Sequence, residues 1–579
     1  MREVSAEQVG SYPFDLGSYS RPVSTSSGQA QRWFDLGLNW YYGFNLAEAV
    51  RCFRLALAHD PACVMAYWGL ALSSGPFYNL TWREFGRTEI EDATRAGHDA
   101  LERARALASG AAEVENRLVD ALGRRFQKPH PVSPEEFARW DMDYADAMRA
   151  LHRDFPDDHD VMALLAEALI MLTPRRLWDN SLRAPAPGSA ALEAVGLCER
   201  SIALADSSGT AHHPFALHMH IHALEMSHHP DRALRSAFLL GETGPDNGHV
   251  HHMPAHIYSL CGDYEKAKRV SRDAERADDM YARYCDGLGE RNMFFVATRC
   301  HDLHLLAASC MFLGQFGDAL AAARKVRGIV TDDLLRSQNH PKFTMFMEAW
   351  CSMRLHVLVR FGRWHEIIRE PAPDDPSLYV VTTVMTHYAQ GIAYAALKDF
   401  EKAEASRRLF LESLAQVPES YRVANSPARD TLAVAEAMLD GELAYHKGDH
   451  EQAFRHLRES VRRDDALVYT EPAFWMHPPR HALAALLAEQ GFYEEAEQVY
   501  RDDLGMTSGI RRLSQHPENV WALQGLAECL AHRKADKEYA ALKPRLEAAL
   551  AKADVPITSS CFCRSAPQVA DGCCCRAGT

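Results

Sequence analysis

The chain has 579 residues and a formal net charge of −15 at pH 7, with 47% hydrophobic and 24% charged residues. This balance is typical of a globular protein, and the acidic surplus argues against nucleic acid or an anionic membrane surface as a partner. No apolar run approaches the roughly 20 residues of a membrane span, and the N-terminus lacks the basic-then-apolar order of a signal peptide. We therefore expect a cytoplasmic protein with neither a membrane nor a nucleic-acid partner.

The first helical pattern follows an N-terminal arm and lies in the segment WFDLGLNWYYGFNLAEAVRCFRLALAHDP. Counted from Gly37, Ala49 lies 12 residues further on, Phe53 lies 16 and Pro61 lies 24. Small residues allow two helices to approach closely, and the aromatic ring fills the space between them. The spacing therefore predicts two antiparallel helices that end at a proline.

A short turn with the pattern Gly-x-aromatic, followed three residues later by a small residue, recurs along the chain. The glycine can adopt the left-handed conformation that ends a helix, and the two later residues pack the next helix against the first. With minor departures at individual positions, these turns begin at Gly262, Gly314, Gly362, Lys398, Gly448 and Gly491. Strand patterns are nearly absent. We predict an all-α protein built from repeated helix pairs.

In this spacing, residues 30–545 resemble the tetratricopeptide superfamily. The chain is also similar to a set of long bacterial and fungal tetratricopeptide proteins with a histidine-rich segment, through the stretches FNLAEAVRCFRLALAHDPACVMAYWGLAL and HHMPAHIYSLCGDYEKA. In that set a histidine commonly follows the Phe-Asn pair, where this chain has Leu46. The resemblance implies a tetratricopeptide-repeat α-solenoid, a superhelix of antiparallel helix pairs with a concave groove, and it implies no particular activity.

We expect six segments in chain order. They are an N-terminal arm (1–29), tetratricopeptide-like helices (30–174), a Pro/Ala-rich connection (175–190), a His-rich metal-site region (191–330), C-terminal tetratricopeptide-like helices (331–550) and a Cys-rich tail (551–579).

Several histidines keep step with the repeat in the middle of the chain. His218 and His222 precede the alanine of one repeat by 15 and 11 residues, and His252 and His256 precede that of the next repeat by the same intervals. His304 lies 15 residues before the alanine of a third repeat. Side chains at one fixed offset in stacked repeats point to one side of the stack. We expect these imidazoles to converge in one cleft, where they can share a metal ion.

The first helix of this region carries a carboxylate beside its histidines. His218, His222 and Glu225 are spaced i, i+4 and i+7, so they share one face, while His220 points away from it. Two histidines one turn apart can chelate one cation. Three roles are open to Glu225: it can complete the coordination shell, orient a histidine or act as a general base toward bound water.

On the second helix a proline separates the two candidate ligands. Pro254 lacks the N–H that a helix interior needs, so we expect the helix to begin near His252. His249 and His301 each lie 18 residues before the alanine of their repeat, and His301 is three residues from His304 on the third helix. The resemblance to tetratricopeptide proteins implies that these side chains line the concave groove.

The candidate ligands are rich in imidazole and poor in carboxylate, which favours zinc, copper, iron or nickel over magnesium or calcium. A blue-copper centre is disfavoured because no cysteine or methionine partners the candidate histidines within the three-helix cluster. His356 and His481 share the offsets but lie several repeats away, so we assign them to the groove wall. We predict a transition-metal site with Glu225 as the candidate catalytic residue and with the ligands His218, His222, His252, His256, His301 and His304.

The C-terminal tail is rich in cysteine, with Cys561, Cys563 and a triplet at Cys573, Cys574 and Cys575. Thiolates in this pattern suit Cu(I) or Zn²⁺, and the tail can add a ligand to the histidine site or deliver metal to it. The alternative is an irregular tail that binds no metal.

The motifs of several other enzyme classes are missing from the sequence, which has no Gly-rich phosphate loop, no Gly-x-Ser-x-Gly elbow and no His-Glu-x-x-His string. The leading hypothesis is a metal-dependent enzyme that acts on a small molecule in the groove. The alternatives are an interaction scaffold that binds a peptide in the groove, and a metal-storage or delivery protein that uses the Cys-rich tail.

Overall fold

The computed structural model describes residues 12–179, 183–288, 293–336 and 341–564. Its first helices form the half of the chain that carries most of the histidines. They are Gly28–Tyr42 (α1), Leu46–His59 (α2), Val64–Ser74 (α3), Arg87–Ala106 (α4), Glu113–Leu122 (α5), Pro134–Asp154 (α6), His159–Ile170 (α7), Ala191–Ser208 (α8), Pro214–Glu225 (α9), Leu234–Gly241 (α10), Gly248–Leu260 (α11), Tyr264–Leu288 (α12) and Met293–Leu313 (α13).

The second half continues the same alternation of helices. Its helices are Phe316–Ile329 (α14), Asp332–Arg336 (α15), Pro341–Trp350 (α16), Met353–Arg360 (α17), Trp364–Ile367 (α18), Val380–Ala396 (α19), Phe400–Gln416 (α20), Ala428–His446 (α21), His450–Ala466 (α22), Pro479–Glu489 (α23), Tyr493–Asp503 (α24), Val520–His532 (α25) and Asp536–Leu550 (α26). Short 3₁₀ turns lie at Ala108–Gly110, Pro230–Ala233 and Arg512–Ser514.

Extended structure among the described residues is limited to two antiparallel pairs of two-residue strands. Trp178–Asp179 (β1) pairs with Ala184–Pro185 (β2), and Arg422–Val423 (β3) pairs with Ser426–Pro427 (β4). The prediction of an all-α protein is confirmed.

Most consecutive helices pack against each other, and several helices also pack against the helix two positions further on. Thus α9 contacts α11 and α11 contacts α13, in addition to their sequence neighbours. These inner helices are covered on several sides, and every residue of α9 is buried. The outer helix α22 instead buries one stripe with helical spacing, formed by Ala453, Phe454, Leu457 and Ser460. The chain is therefore an α-solenoid of tetratricopeptide-type helix pairs.

The anchors of the first hairpin act as their spacing predicts. A Cβ atom on Gly37 would lie 2.8 Å from Cε1 of the Phe53 ring, so the absence of a side chain is what allows the ring to fill the interface. The turn glycines adopt the left-handed conformation, for example Gly262 with φ +82°. Lys398 takes the same conformation, with φ 62°, in the one predicted turn that begins without a glycine.

The predicted start of the second histidine helix is wrong. The helix α11 begins at Gly248 and continues through Pro254, so His252 lies inside it. The side chain of Asn247 accepts a hydrogen bond from the Val250 N–H and caps the helix. Pro254 has no backbone N–H to donate, so the helix lacks one hydrogen bond at this position. Packing on both sides of the helix keeps it continuous. His252 and His256 consequently share the face of one continuous helix.

The apolar core has two large clusters, which meet at α13, and a small third cluster formed by Ala395, Ala403 and Leu443. Leu305 belongs to the N-terminal cluster, whereas Leu303 and Leu306 belong to the C-terminal cluster. The indole of Trp521 on α25 donates a hydrogen bond to the carbonyl of Met311 on α13 at 2.7 Å. The C-terminal helix α25 therefore contacts α13 in the middle of the solenoid. No helix in the described part of the chain has the length and apolar content needed to cross a membrane.

Candidate metal centre

Six of the histidines on α9, α11 and α13 form two adjacent groups of three. In each group, one ring nitrogen from every histidine lies within 4.8 Å of the others. We call them the first triad, formed by His218, His222 and His249, and the second triad, formed by His252, His256 and His301.

The first triad directs nitrogen lone pairs into a buried space. The Nδ1–H of His218 donates to the carbonyl of Tyr42 at 2.8 Å, and this bond fixes the tautomer that leaves Nε2 with a lone pair. Among the described residues, Nε2 of His218, Nε2 of His222 and both ring nitrogens of His249 have no hydrogen-bond partner. Buried polar atoms normally have partners, so these unpartnered nitrogens are the atoms of the first triad that could hold a metal ion.

The second triad contains a close contact between two imidazoles. Nε2 of His252 lies 2.6 Å from Nε2 of His256. Nδ1 of His256 bonds to Glu225, and Nδ1 of His252 lies 2.9 Å from Oδ1 of Asp302, an ion-pair distance outside hydrogen-bond alignment. With the ring protons on the carboxylate sides, both Nε2 atoms present lone pairs to each other. A cation bound between them would stabilise this arrangement.

Glu225 connects the two triads. Its Oε1 accepts from Nδ1 of His222 at 2.9 Å, and its Oε2 accepts from Nδ1 of His256 at 2.5 Å. Burial raises the pKa of Glu225 to about 8, while the charge of Arg175 and the hydroxyl of Tyr469 oppose this rise and favour the carboxylate. Because both oxygens are engaged by imidazoles, the geometry favours the role of orienting ligands over that of a general base.

Burial keeps the six imidazoles neutral, which is the form that binds metal. It lowers the pKa of His218 and of His252 to about 3. For the other four the pKa falls well below its ordinary value, first through burial and then through neighbouring histidines; these are His222, His249, His256 and His301.

At two histidines the structure differs from the predicted set of ligands. His304 lies outside both triads, and its Nδ1 accepts a hydrogen bond from the indole of Trp350 at 3.2 Å. His249 occupies a triad position, although the predicted set of ligands does not include it. The signal that marks it was present in the sequence, because His249 shares its repeat offset with His301. His220 turns away, and its Nδ1 bonds to Ser236 at 2.8 Å.

The histidines assigned to the groove wall form a separate network in the second half. Nδ1 of His356 lies 3.2 Å from Nδ1 of His477, and Nε2 of His481 lies 2.8 Å from Asp503. Arg360 bonds to the other nitrogen of His481 at 2.9 Å. These rings belong to neither triad.

A loop from the second half covers the centre. Tyr469 donates to Glu225 at 3.4 Å, and Glu471 forms an ion pair with Arg175, which lies in the Pro/Ala-rich connection. Beside this loop is a cavity of about 120 Å³. Its lining is largely apolar and includes Val468, Leu305, Phe474 and Trp475, with His256 and Glu471 at the wall nearest the second triad.

Comparisons with known proteins extend no further than the general fold. No family model matches the chain, and no curated protein matches it. Among solved structures, it is similar to a monomeric mutant of IFIT1 with Gppp-AAAA, at 11% identity over 84% of this chain and 90% of that one, with a TM-score of 0.32. It is also similar to yeast Tom70, at 12% identity over 89% of this chain and 91% of that one, with a TM-score of 0.26. The TPR domain of P58(IPK) is similar at 11% identity over 90% and 98%, with a TM-score of 0.20. At these identities and TM-scores the comparisons carry no argument, and the description of the fold rests on the helix pairs themselves.

Proposed function

We propose that the two triads bind a pair of transition metal ions and that this pair acts on a small molecule. The supporting observation is the single carboxylate of Glu225, which orients one imidazole of each triad while Nε2 of the same ring faces inward. Zinc, copper and iron all accept imidazole nitrogen. Three protein ligands for each ion leave coordination positions open, and a metal ion in such a site polarises a substrate or activates water.

The size and lining of the cavity support a small-molecule substrate. The cavity of about 120 Å³ is close in size to engineered protein cavities of about 150 Å³ that accept a benzene ring. Its apolar lining favours a small, largely apolar molecule, and His256 and Glu471 favour a polar group at the end that approaches the second triad. The loop that carries Tyr469 and Glu471 shields this end from bulk water.

A second candidate is an interaction scaffold with a peptide in its groove. It is supported by the chain itself, because the irregular segment before residue 564 lies against helices of the second half. Phe562 packs on Trp521 of α25, and the backbone of Ser560 contacts Arg360 of α17. A groove that binds a peptide would account for these contacts. It would not account for the orphaned imidazole nitrogens.

Metal analysis of tag-free protein distinguishes the two candidates. The metalloenzyme proposal expects close to two transition metal ions per chain, and their loss from a His218→Ala/His256→Ala double variant. The matched control is His220→Ala, which removes a buried histidine from the same helix and should retain both ions. Metal-free wild-type protein after growth and reconstitution with zinc, copper and iron would reject the proposal in favour of the scaffold.

A further inference from the structure

The C-terminal tail brings a second set of metal-ligating groups together, remote in sequence from the histidine triads. One sulfur each from Cys561 and Cys563 and one carboxylate oxygen of Glu442 lie within 4.8 Å of one another. Glu442 belongs to α21, so the site joins the tail to the body of the solenoid. The cysteine triplet at 573–575 lies outside the described residues.

The tail reaches this place along a specific path. Ser560 donates to the carbonyl of His481 at 2.8 Å and shares a 2.5 Å hydrogen bond with the hydroxyl of Tyr500. Arg564 forms an ion pair with Glu528 at 2.7 Å. Cys563 is only 1% exposed. The two cysteines are therefore held in place by contacts on both sides.

Glu442 is a buried carboxylate whose role the fold does not explain. Its side chain is 1% exposed, and within the described ranges its Oε2 has no hydrogen-bond partner. Burial raises the pKa of Glu442 to about 8. An unpartnered buried carboxyl group destabilises a fold, so this residue points to a ligand that the protein's own groups do not supply.

His446 lies one helical turn further along α21, outside the group of three ligand atoms that lie within 4.8 Å of one another. Spacing of i and i+4 places Glu442 and His446 on one face. Both ring nitrogens of His446 are buried and, in the part of the chain that the structure describes, lack a hydrogen-bond partner. Burial lowers the pKa of His446 to about 4, and the backbone of Cys563 is among the groups that oppose this shift, so the ring lies beside the tail.

We propose that Cys561, Cys563, Glu442 and His446 form a closed zinc site that fixes the tail to α21. Two thiolates, an imidazole and a carboxylate are donors that zinc accepts, and four protein ligands complete its tetrahedral shell. A closed shell makes the site structural. Its formation is independent of the histidine triads, and it does not depend on the enzyme proposal.

Zinc binding requires the reduced tail, because the structure has Cys561 and Cys563 joined as a disulfide. A small dithiol reduces this bond: it transfers two electrons and two protons to the cysteine sulfurs and becomes a cyclic disulfide itself. Zinc then displaces both thiol protons to solvent and binds the two thiolates. Oxidation of the tail therefore excludes the ion.

Cobalt(II) is the probe for this site because its thiolate complexes have a sulfur-to-metal charge-transfer band. Full-length, tag-free protein is reduced with a dithiol, stripped of metal and titrated with cobalt without oxygen. We expect one equivalent of cobalt with the thiolate band, displaced by zinc. The double variant Cys561→Ser/Cys563→Ser should lose the band, and Glu442→Gln should bind cobalt there at least about tenfold more weakly.

Matched variants keep the test specific. Cys529→Ser removes a buried cysteine of α25 and should leave the band intact, as should replacement of all three cysteines at 573–575 by serine. The His218→Ala/His256→Ala variant should also retain it, which separates this site from the triads. A reduced wild type without the band, or a band that survives Cys561→Ser/Cys563→Ser, overturns the proposal.

Discussion

Glu225 and His256 are joined by a 2.5 Å hydrogen bond although they belong to different helices, α9 and α11. The same carboxylate holds His222 at 2.9 Å through its other oxygen. One buried acidic residue thus fixes the direction of an imidazole in each triad. Carboxylate–histidine pairs of this kind set the tautomer and the basicity of metal ligands.

Replacement of Glu225 therefore affects both triads at once. We expect Glu225→Ala to weaken metal binding by about 10- to 100-fold. Glu225→Gln should have a smaller effect, because the amide oxygen can still accept from one imidazole while its NH₂ group cannot. Competition with a chelator of known affinity measures the change. The control is Glu348→Gln, at a buried glutamate of α16 outside both triads. An equal loss of metal affinity in the two variants would contradict the bridging role.

His249 and His304 test which histidine completes the first triad. His249→Ala should remove one of two metal ions, because both nitrogens of His249 are buried beside the other ligands. His304→Ala should leave both ions bound, because His304 lies outside both triads and its Nδ1 accepts a hydrogen bond from the Trp350 indole. Metal counted per chain by elemental analysis gives the answer. The opposite pattern would restore His304 as a ligand and remove His249.

The close packing of the first hairpin makes a stability prediction. Gly37→Ala should destabilise the protein by about 1–3 kcal/mol, because the new methyl group would lie 2.8 Å from Phe53, whose ring is also confined by Gly69. Gly196→Ala on α8 is the matched control, since no heavy atom of the described neighbours lies within 4 Å of its Cβ position. There alanine should stabilise by up to about 1 kcal/mol. Urea unfolding measures both, and equal effects of the two substitutions would refute the packing argument.

His356 predicts part of the acid sensitivity of the fold. Burial lowers its pKa to about 3, whereas an unfolded histidine has a pKa of about 6.5. Between these values the unfolded state binds the extra proton, so this contribution to stability is complete above about pH 6.5 and is lost as the pH falls. The free energy of unfolding should decrease by about 1.4 kcal/mol per pH unit for this group.

The His356→Gln variant isolates that contribution. Between about pH 6 and pH 4 its free energy of unfolding should fall less steeply than that of the wild type. The difference in slope should be up to about 1.4 kcal/mol per pH unit, the value for one proton. Parallel curves for wild type and His356→Gln would show that His356 is not held neutral by burial.

Local spacing was sufficient to predict the fold. Gly37 and Phe53 contact each other as their separation requires, and the left-handed turn at Gly262 follows from its place before an aromatic residue. The repeat offsets also predicted that histidines of α9 and α11 would converge. These features depend on residues that are close in sequence or related by the repeat, so periodicity alone reveals them.

The remaining features of the site depend on distant partners. Trp350 donates a hydrogen bond to Nδ1 of His304, 46 residues away in sequence. Tyr469 donates a hydrogen bond to Glu225, 244 residues away in sequence. The division into two triads depends on the direction of each ring, which is set by Tyr42, Glu225 and Asp302 and not by helix position. Packing around α11 likewise outweighs the helix-breaking tendency of Pro254.

The most direct test is a crystal structure of metal-reconstituted, tag-free protein with data collected across the absorption edge of the metal. We predict two anomalous peaks, one in each triad, with metal–nitrogen distances of about 2.1 Å. Nε2 of His218 and His222 should contact the first ion, and Nε2 of His252 and His256 the second. No peak among these six histidines, or a single ion held by Glu225 and Glu471 instead, would contradict the account.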